Sequence, residues 1–96
     1  AKRGNEILRK FEAANKGNVA AATLLIESGA DVNAKNDVGM TPLHMAARLG
    51  DTGTVRLLIE SGADVSAMSD GRKTALDYAI EDGQKEVADL LIESTK

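Results

Sequence analysis

The sequence predicts an all-α fold, a solenoid of stacked helix–turn–helix units joined by short hairpin-like loops. Three observations carry that prediction. The chain repeats itself: Leu24-Leu25-Ile26-Glu27-Ser28 returns as Leu57-Leu58-Ile59-Glu60-Ser61 and again as Leu90-Leu91-Ile92-Glu93-Ser94, each time 33 residues on. The punctuation keeps the same step, with Gly17, Gly50 and Gly83, with Ala13, Ala46 and Ala79, and with Thr41 and Thr74. Such a period marks a chain built from supersecondary units that bury their apolar faces against one another. Finally, Phe11 and Tyr78 are the only aromatics, so the core is aliphatic and suits thin stacked helices better than a sandwich.

Taken in order, the first unit spans about residues 4–36. Asn5 is placed to cap its first helix, with Glu6 against the positive helix end. Ile7, Leu8, Phe11 and Ala14 mark one face at helical spacing. Gly17 stops that helix, Asn18 caps the next, and the second helix runs through Leu24-Leu25-Ile26 to Gly29.

The middle unit covers about residues 37–69. Asp37-Val38-Gly39 reads as a tight turn with Gly supplying the positive φ. Thr41 is the N-cap, because its hydroxyl accepts from N–H groups that a helix start leaves unpaired. Pro42 falls at N1, where its missing N–H costs nothing. His44, at N3, is within reach of the Thr41 hydroxyl and is expected to brace the helix start. Ala46 and Ala47 leave the helix surface nearly bald, so a neighbouring helix approaches closely. The helix stops at Gly50, and a second runs from near Asp51 to Gly62, with a weak start at Thr52-Gly53-Thr54.

The last unit covers about residues 70–96. It keeps Thr74 and replaces Pro and His by Ala75 and Asp77, so that Thr74-x-x-Asp77 forms a capping box. Its turn glycine, Gly71, falls one position earlier than Gly39, so a different turn geometry is expected. Charges crowd this unit, which reads as an outer cap more polar than the middle one.

Composition excludes several classes. There is no Cys, which rules out a disulfide framework and a thiolate metal site. A net charge of −3 lacks the basic face that nucleic acid demands. No run approaches the ~18 apolar residues of a membrane span, and no signal peptide opens the chain. A soluble chain of cytoplasmic type is expected. Charge is uneven: Lys2, Arg3, Arg9, Lys10 and Lys16 crowd one end, and Asp77, Glu81, Asp82, Glu86, Asp89 and Glu93 the other. Exposed pairs are weak and screened, so a monomer is expected in physiological buffer.

The turn, the Thr41-Pro42-Leu43-His44 start, the Ala46-Ala47 pair and the 33-residue register together resemble the ankyrin repeat, over essentially the whole chain. The resemblance implies a three-unit array with a capping repeat at each end of one internal repeat. It also implies a protein-binding module that engages a folded partner through a concave face of hairpin tips and first helices. So short an array with near-identical second helices is similar, besides, to the designed ankyrin repeat proteins used as binding scaffolds. It departs from them at Gly53, Gly71 and Arg72. The alternative is a minimal structural scaffold or self-assembling unit with no dedicated partner.

Contact positions implied by the resemblance flank the turn glycine and follow the Ala pair. They are Asp37, Val38, Met40, Arg48 and Leu49 in the middle unit, with Ser61 at the second helix end. In the last unit they are Asp70, Gly71, Arg72, Lys73, Glu81 and Asp82; in the first, Asn15 and Lys16. Val38, Met40 and Leu49 are apolar where a solvated turn favours polar residues, and adjacent Met68 adds to them. Single exposed apolar side chains are ordinary, but a contiguous patch ringed by Arg48, Lys73 and Glu81 has the makeup of an interface. Catalysis has little support. His44 is the only histidine, no serine–histidine spacing suggests a triad, and no Gly-rich phosphate loop precedes a Lys. No cofactor or metal is expected.

Overall fold

A computed structural model describes residues 27–29 and 31–95 of the chain. The helices and caps expected before residue 27 lie outside the described residues, as do Asn15 and Lys16. Four helices follow: α1 (Pro42–Leu49), α2 (Thr52–Glu60), α3 (Ala75–Glu81) and α4 (Lys85–Ser94). No strand occurs among the described residues. Consecutive helices pair, α1 with α2 and α3 with α4; across the pairs α1 packs on α3 and α2 on α4.

Each helix begins and ends where its own residues dictate. Thr41 is extended, at φ −96° and ψ 168°, and its hydroxyl accepts from the His44 N–H. In return the Thr41 N–H donates to His44 Nδ1 at 2.9 Å. Thr74 and Asp77 close the equivalent box on α3. Asp51 caps α2 by accepting from the Thr54 N–H and, at 2.6 Å, from the Thr54 hydroxyl. Gly53 lies inside α2 without a positive φ, so the weak start is tolerated helix. Gly50 takes the left-handed conformation at φ 74°, and the N–H groups of Gly50 and Asp51 then reach back to Ala47 and Ala46. The same pair of bonds recurs at Gly62-Ala63 and at Gly83-Gln84.

The core runs between the pairs. Leu43, Ala46 and Ala47 of α1, Val55 and Leu58 of α2, Ala75 and Ala79 of α3, and Val87 and Leu91 of α4 form one buried cluster. Close approach comes from small residues: the Gln84 side chain lies so near Gly50 that a Cβ there would collide with it. Gln84 makes no side-chain cap on α4 and instead donates to the Arg48 carbonyl at 3.0 Å.

His44 does more than brace its own helix. With Nδ1 accepting from Thr41, the proton sits on Nε2, which donates to the carbonyls of Ala67 at 3.0 Å and Lys73 at 3.1 Å. One buried ring thereby ties the start of α1 to the loop that delivers α3. Burial holds the His44 pKa below its ordinary value of 6.5; the bonds to Ala67 and Lys73 oppose that shift and the Lys35 charge adds to it.

The turn before α3 corrects an expectation. Gly71, placed one position early, does not shift the geometry. Arg72, in register with Gly39, takes the left-handed conformation itself at φ 60°. The hydrogen bonds match: Asn36 N–H to Met40 and Gly39 N–H to Asn36 in one loop, Ser69 N–H to Lys73 and Arg72 N–H to Ser69 in the other. The bonded frame dictates the backbone, and a non-glycine residue bears a strain of roughly 1–2 kcal/mol.

Two predictions follow from these contacts. Arg72→Gly relieves the strain at some cost in unfolded-chain entropy, so it should stabilise the fold by about 0.5–1 kcal/mol in chemical denaturation. A loss of stability would mean that the Arg72 side chain holds the turn. For His44, the folded chain keeps the ring neutral while the unfolded chain binds a proton near pH 6.5. Stability is therefore complete above that value and falls as the pH drops below it, which denaturation curves between about pH 7.5 and about pH 5 should reveal ahead of carboxylate titration. His44→Ala should cost roughly 2–3 kcal/mol and flatten that dependence; a wild-type profile that is flat or rises with acid would contradict the neutral ring.

Candidate protein-binding face

Burial of an alanine pair decides what the next residues do. Ala46 and Ala47 are wholly inside, so Arg48 and Leu49, at the end of α1, turn outward and are exposed. Glu81 and Asp82 hold the same register at the end of α3 and are exposed as well. Packing of α1 against α3 brings these ends together, with Arg48 Nε 3.9 Å from an Asp82 carboxylate oxygen. Lys73, just before α3, donates to Glu81 at 2.8 Å, and that bond raises the lysine pKa.

Tyr78 sits among these charges. The Arg48 guanidinium lies 6.0 Å and the Lys73 ammonium 5.7 Å from its ring centroid. Its hydroxyl meets Ser69 Oγ at 2.8 Å, and His44 stands edge-on to it at 5.5 Å. Half-exposed ion pairs of this kind contribute about 0–1 kcal/mol each to stability. Their consequence is positional: both cations are held against one ring and one pair of acids. Neither Tyr78 nor Ser69 was among the expected contact residues. The one signal in the sequence was an aromatic standing in register with Met45 in an otherwise aliphatic chain.

The loop tips form a second group. The Asp70 N–H donates to the Val38 carbonyl at 3.0 Å, and the Asp70 carboxylate closes over Gly39, where a Cβ would stand 2.5 Å from its oxygen. Gly39 is thus required twice, by its φ of 74° and by this approach. Behind the tips, Lys35 Nζ donates to the Met68 carbonyl at 3.2 Å. Asp37, Val38, Asp70, Gly71 and Arg72 are exposed.

Met40 corrects the expected contact set. It is only 6% exposed and packs with Ala34, Met45 and Tyr78 in a small cluster under the tips. The residue after the turn glycine belongs to the core, because hydrogen bonds from the Met40 N–H to Asn36 Oδ1 and from the Asn36 N–H to the Met40 carbonyl draw it inward. The outward apolar side chains here are Val38, Leu49 and Met68, at 53%, 52% and 55%.

Both His44 nitrogens are engaged inside the fold, leaving neither free as a base. Among the described residues no three His, Cys, Asp or Glu side chains gather to hold a metal, and no helix is long and apolar enough to cross a membrane.

Comparison with known families matches residues 10–96 to ankyrin repeats in three copies, and no curated protein matches the chain. The matched region takes in both described helix pairs and their Thr-led helix starts. With nearly the whole length matched, the chain belongs to the ankyrin repeat family, whose members are generally protein-interaction modules and typically non-catalytic.

Proposed function

We propose that this ankyrin repeat chain is a non-catalytic module that binds a folded protein through the side formed by its loop tips and first-helix ends. The observation that supports this most is Leu49, about half exposed at the end of α1 and next in sequence to Arg48 of the Tyr78 cluster. An exposed aliphatic side chain one residue from a cluster of fixed charges of both signs suits an interface with an apolar centre and a polar rim. Val38 and Met68, exposed on the loops, are further apolar side chains open to a partner, and methionine adapts its shape to one. Asp37, Asp70, Arg72, Lys73, Glu81 and Asp82 supply the rim. The repeated second helices also suit an engineered binding scaffold, with Arg72 the point of departure from an idealised turn.

Three variants separate contact from core. Leu49→Asp with Val38→Asp should abolish capture of partners by the immobilised chain, and should change stability by no more than about 0.5 kcal/mol. Leu49→Ala alone should weaken a complex by about 1–2 kcal/mol. Met40→Ala should do the reverse, costing the fold about 2 kcal/mol or more while leaving the affinity of the folded fraction unchanged. If the Asp pair retains every protein that wild type captures, or wild type captures none, this face is not a binding face and the chain acts as a structural unit.

A further inference from the structure

The chain contains two Asp-Gly steps, Asp70-Gly71 and Asp82-Gly83, and the fold treats them differently. All four residues are exposed, so access alone does not separate them. At the second step the Gly83 N–H donates to the Ile80 carbonyl at 3.2 Å, among the bonds that stop α3. Asp82 is held there as well, at φ −92° and ψ 6°, with a carboxylate oxygen 3.9 Å from Arg48 Nε. At the first step, in the loop before α3, neither reacting group is engaged. Among the described residues nothing accepts from the Gly71 N–H, and no hydrogen bond or ion pair holds the Asp70 carboxylate. The cause is local. One repeat earlier the Val38 N–H, in register with that of Gly71, donates to Asn36 Oδ1 at 3.0 Å. Ser69 replaces Asn36 in this loop, and its hydroxyl is turned to Tyr78. The flank of Gly71 is also open: beyond the adjoining residues, a Cβ added there would meet only Ser69 Oγ, at 3.8 Å.

We propose that Asp70 is a site of spontaneous isomerisation to isoaspartate, whereas Asp82 is protected by its helix end. The Gly71 nitrogen attacks the Asp70 side-chain carboxyl carbon, and the new C–N bond closes a succinimide ring. The carboxyl hydroxyl leaves as water together with the amide proton. Water then adds to either ring carbonyl. Opening at the side-chain carbon restores Asp70; opening at the main-chain carbonyl leaves Gly71 joined through the side chain. No oxidant or cofactor enters, and the net mass is unchanged. Glycine favours closure because no Cβ crowds the attacking nitrogen. A nitrogen that donates no hydrogen bond in the fold also loses none on closure, whereas Gly83 would give up its bond to Ile80. Asp37, in register with Asp70, precedes the β-branched Val38, whose N–H is bonded. The isomer runs the main chain through one extra carbon where Asp70 donates to Val38 and lies over Gly39. The reaction therefore displaces the tie between neighbouring loop tips, whether or not those tips bind a partner.

Incubation of the folded chain at neutral pH and body temperature, followed by tryptic mapping, tests this. Cleavage after Arg and Lys leaves Asp37, Asp70 and Asp82 in separate peptides. Isoaspartate is read by methyl transfer from S-adenosylmethionine with an isoaspartyl methyltransferase and placed by fragmentation of each peptide. In the folded chain Asp70 should convert at least about tenfold faster than Asp82. In concentrated urea, where only the shared Asp-Gly sequence remains, the two rates should come within about a factor of three. Gly71→Ala fits the open flank of a glycine without positive φ, so it should keep the wild-type melting curve. It should nonetheless slow conversion at Asp70 about tenfold or more. Four results would each overturn the proposal: no isoaspartate at Asp70 in the folded chain, conversion of Asp82 as fast as of Asp70 there, a preference for Asp70 that persists in urea, or conversion indifferent to Gly71→Ala.

Discussion

One buried imidazole carries the junction between the two described helix pairs. His44 closes the first turn of α1 through Thr41 and spends its other nitrogen on two carbonyls of the following loop. A loop that crosses over packed helices presents backbone carbonyls that need donors; here a single N–H serves both. The ring must stay neutral to do so, since Nδ1 has to accept while Nε2 donates. At this junction one side chain serves both local helix capping and the stacking of repeats. Linkage of this kind gives a repeat array its nearest-neighbour cooperativity.

Around that junction the packing depends on what is missing from side chains. Ala46, Ala47 and Gly50 let α3 and Gln84 come close enough to bury Leu43 and Val55. Gly39 lets Asp70 settle over the preceding tip. The tips themselves are tied by a backbone bond from Asp70 to Val38, so neighbouring loops are joined to one another as the helices beneath them are.

The same register generates two unlike surfaces. At first-helix ends it turns every residue after the Ala pair outward, and the chain fills those places with Arg48, Leu49, Glu81 and Asp82. On the outer side of the last described pair it exposes a position that is interior one repeat earlier, now with Ile80 in place of Ala47. Charge differs as well: the tip side mixes both signs within contact distance, whereas the groove of the last pair is lined by a single charged residue, Lys85.

Much of this was legible in sequence because short-range chemistry specifies it. Thr41 and Thr74 as caps, Pro42 at N1 and the glycine stops follow from spacing and from backbone donors that need partners, whereas the outward turn of Arg48 and Leu49 was implied by the ankyrin resemblance. Other features arise from atoms distant along the chain. Met40 was expected outside and is inside, because bonds to Asn36 draw it over a cluster with Tyr78. Gly71 was expected to move the turn, yet the Ser69–Lys73 frame holds the left-handed position at Arg72. His44 was visible as a brace, but its carbonyl partners are 23 and 29 residues away. Periodicity and capping determined which residues form the helices and where they stop, since those depend on neighbours within one turn. Only the tertiary structure decided which loop residues are core and which are surface, because that depends on the hydrogen bonds and side chains another repeat brings against them.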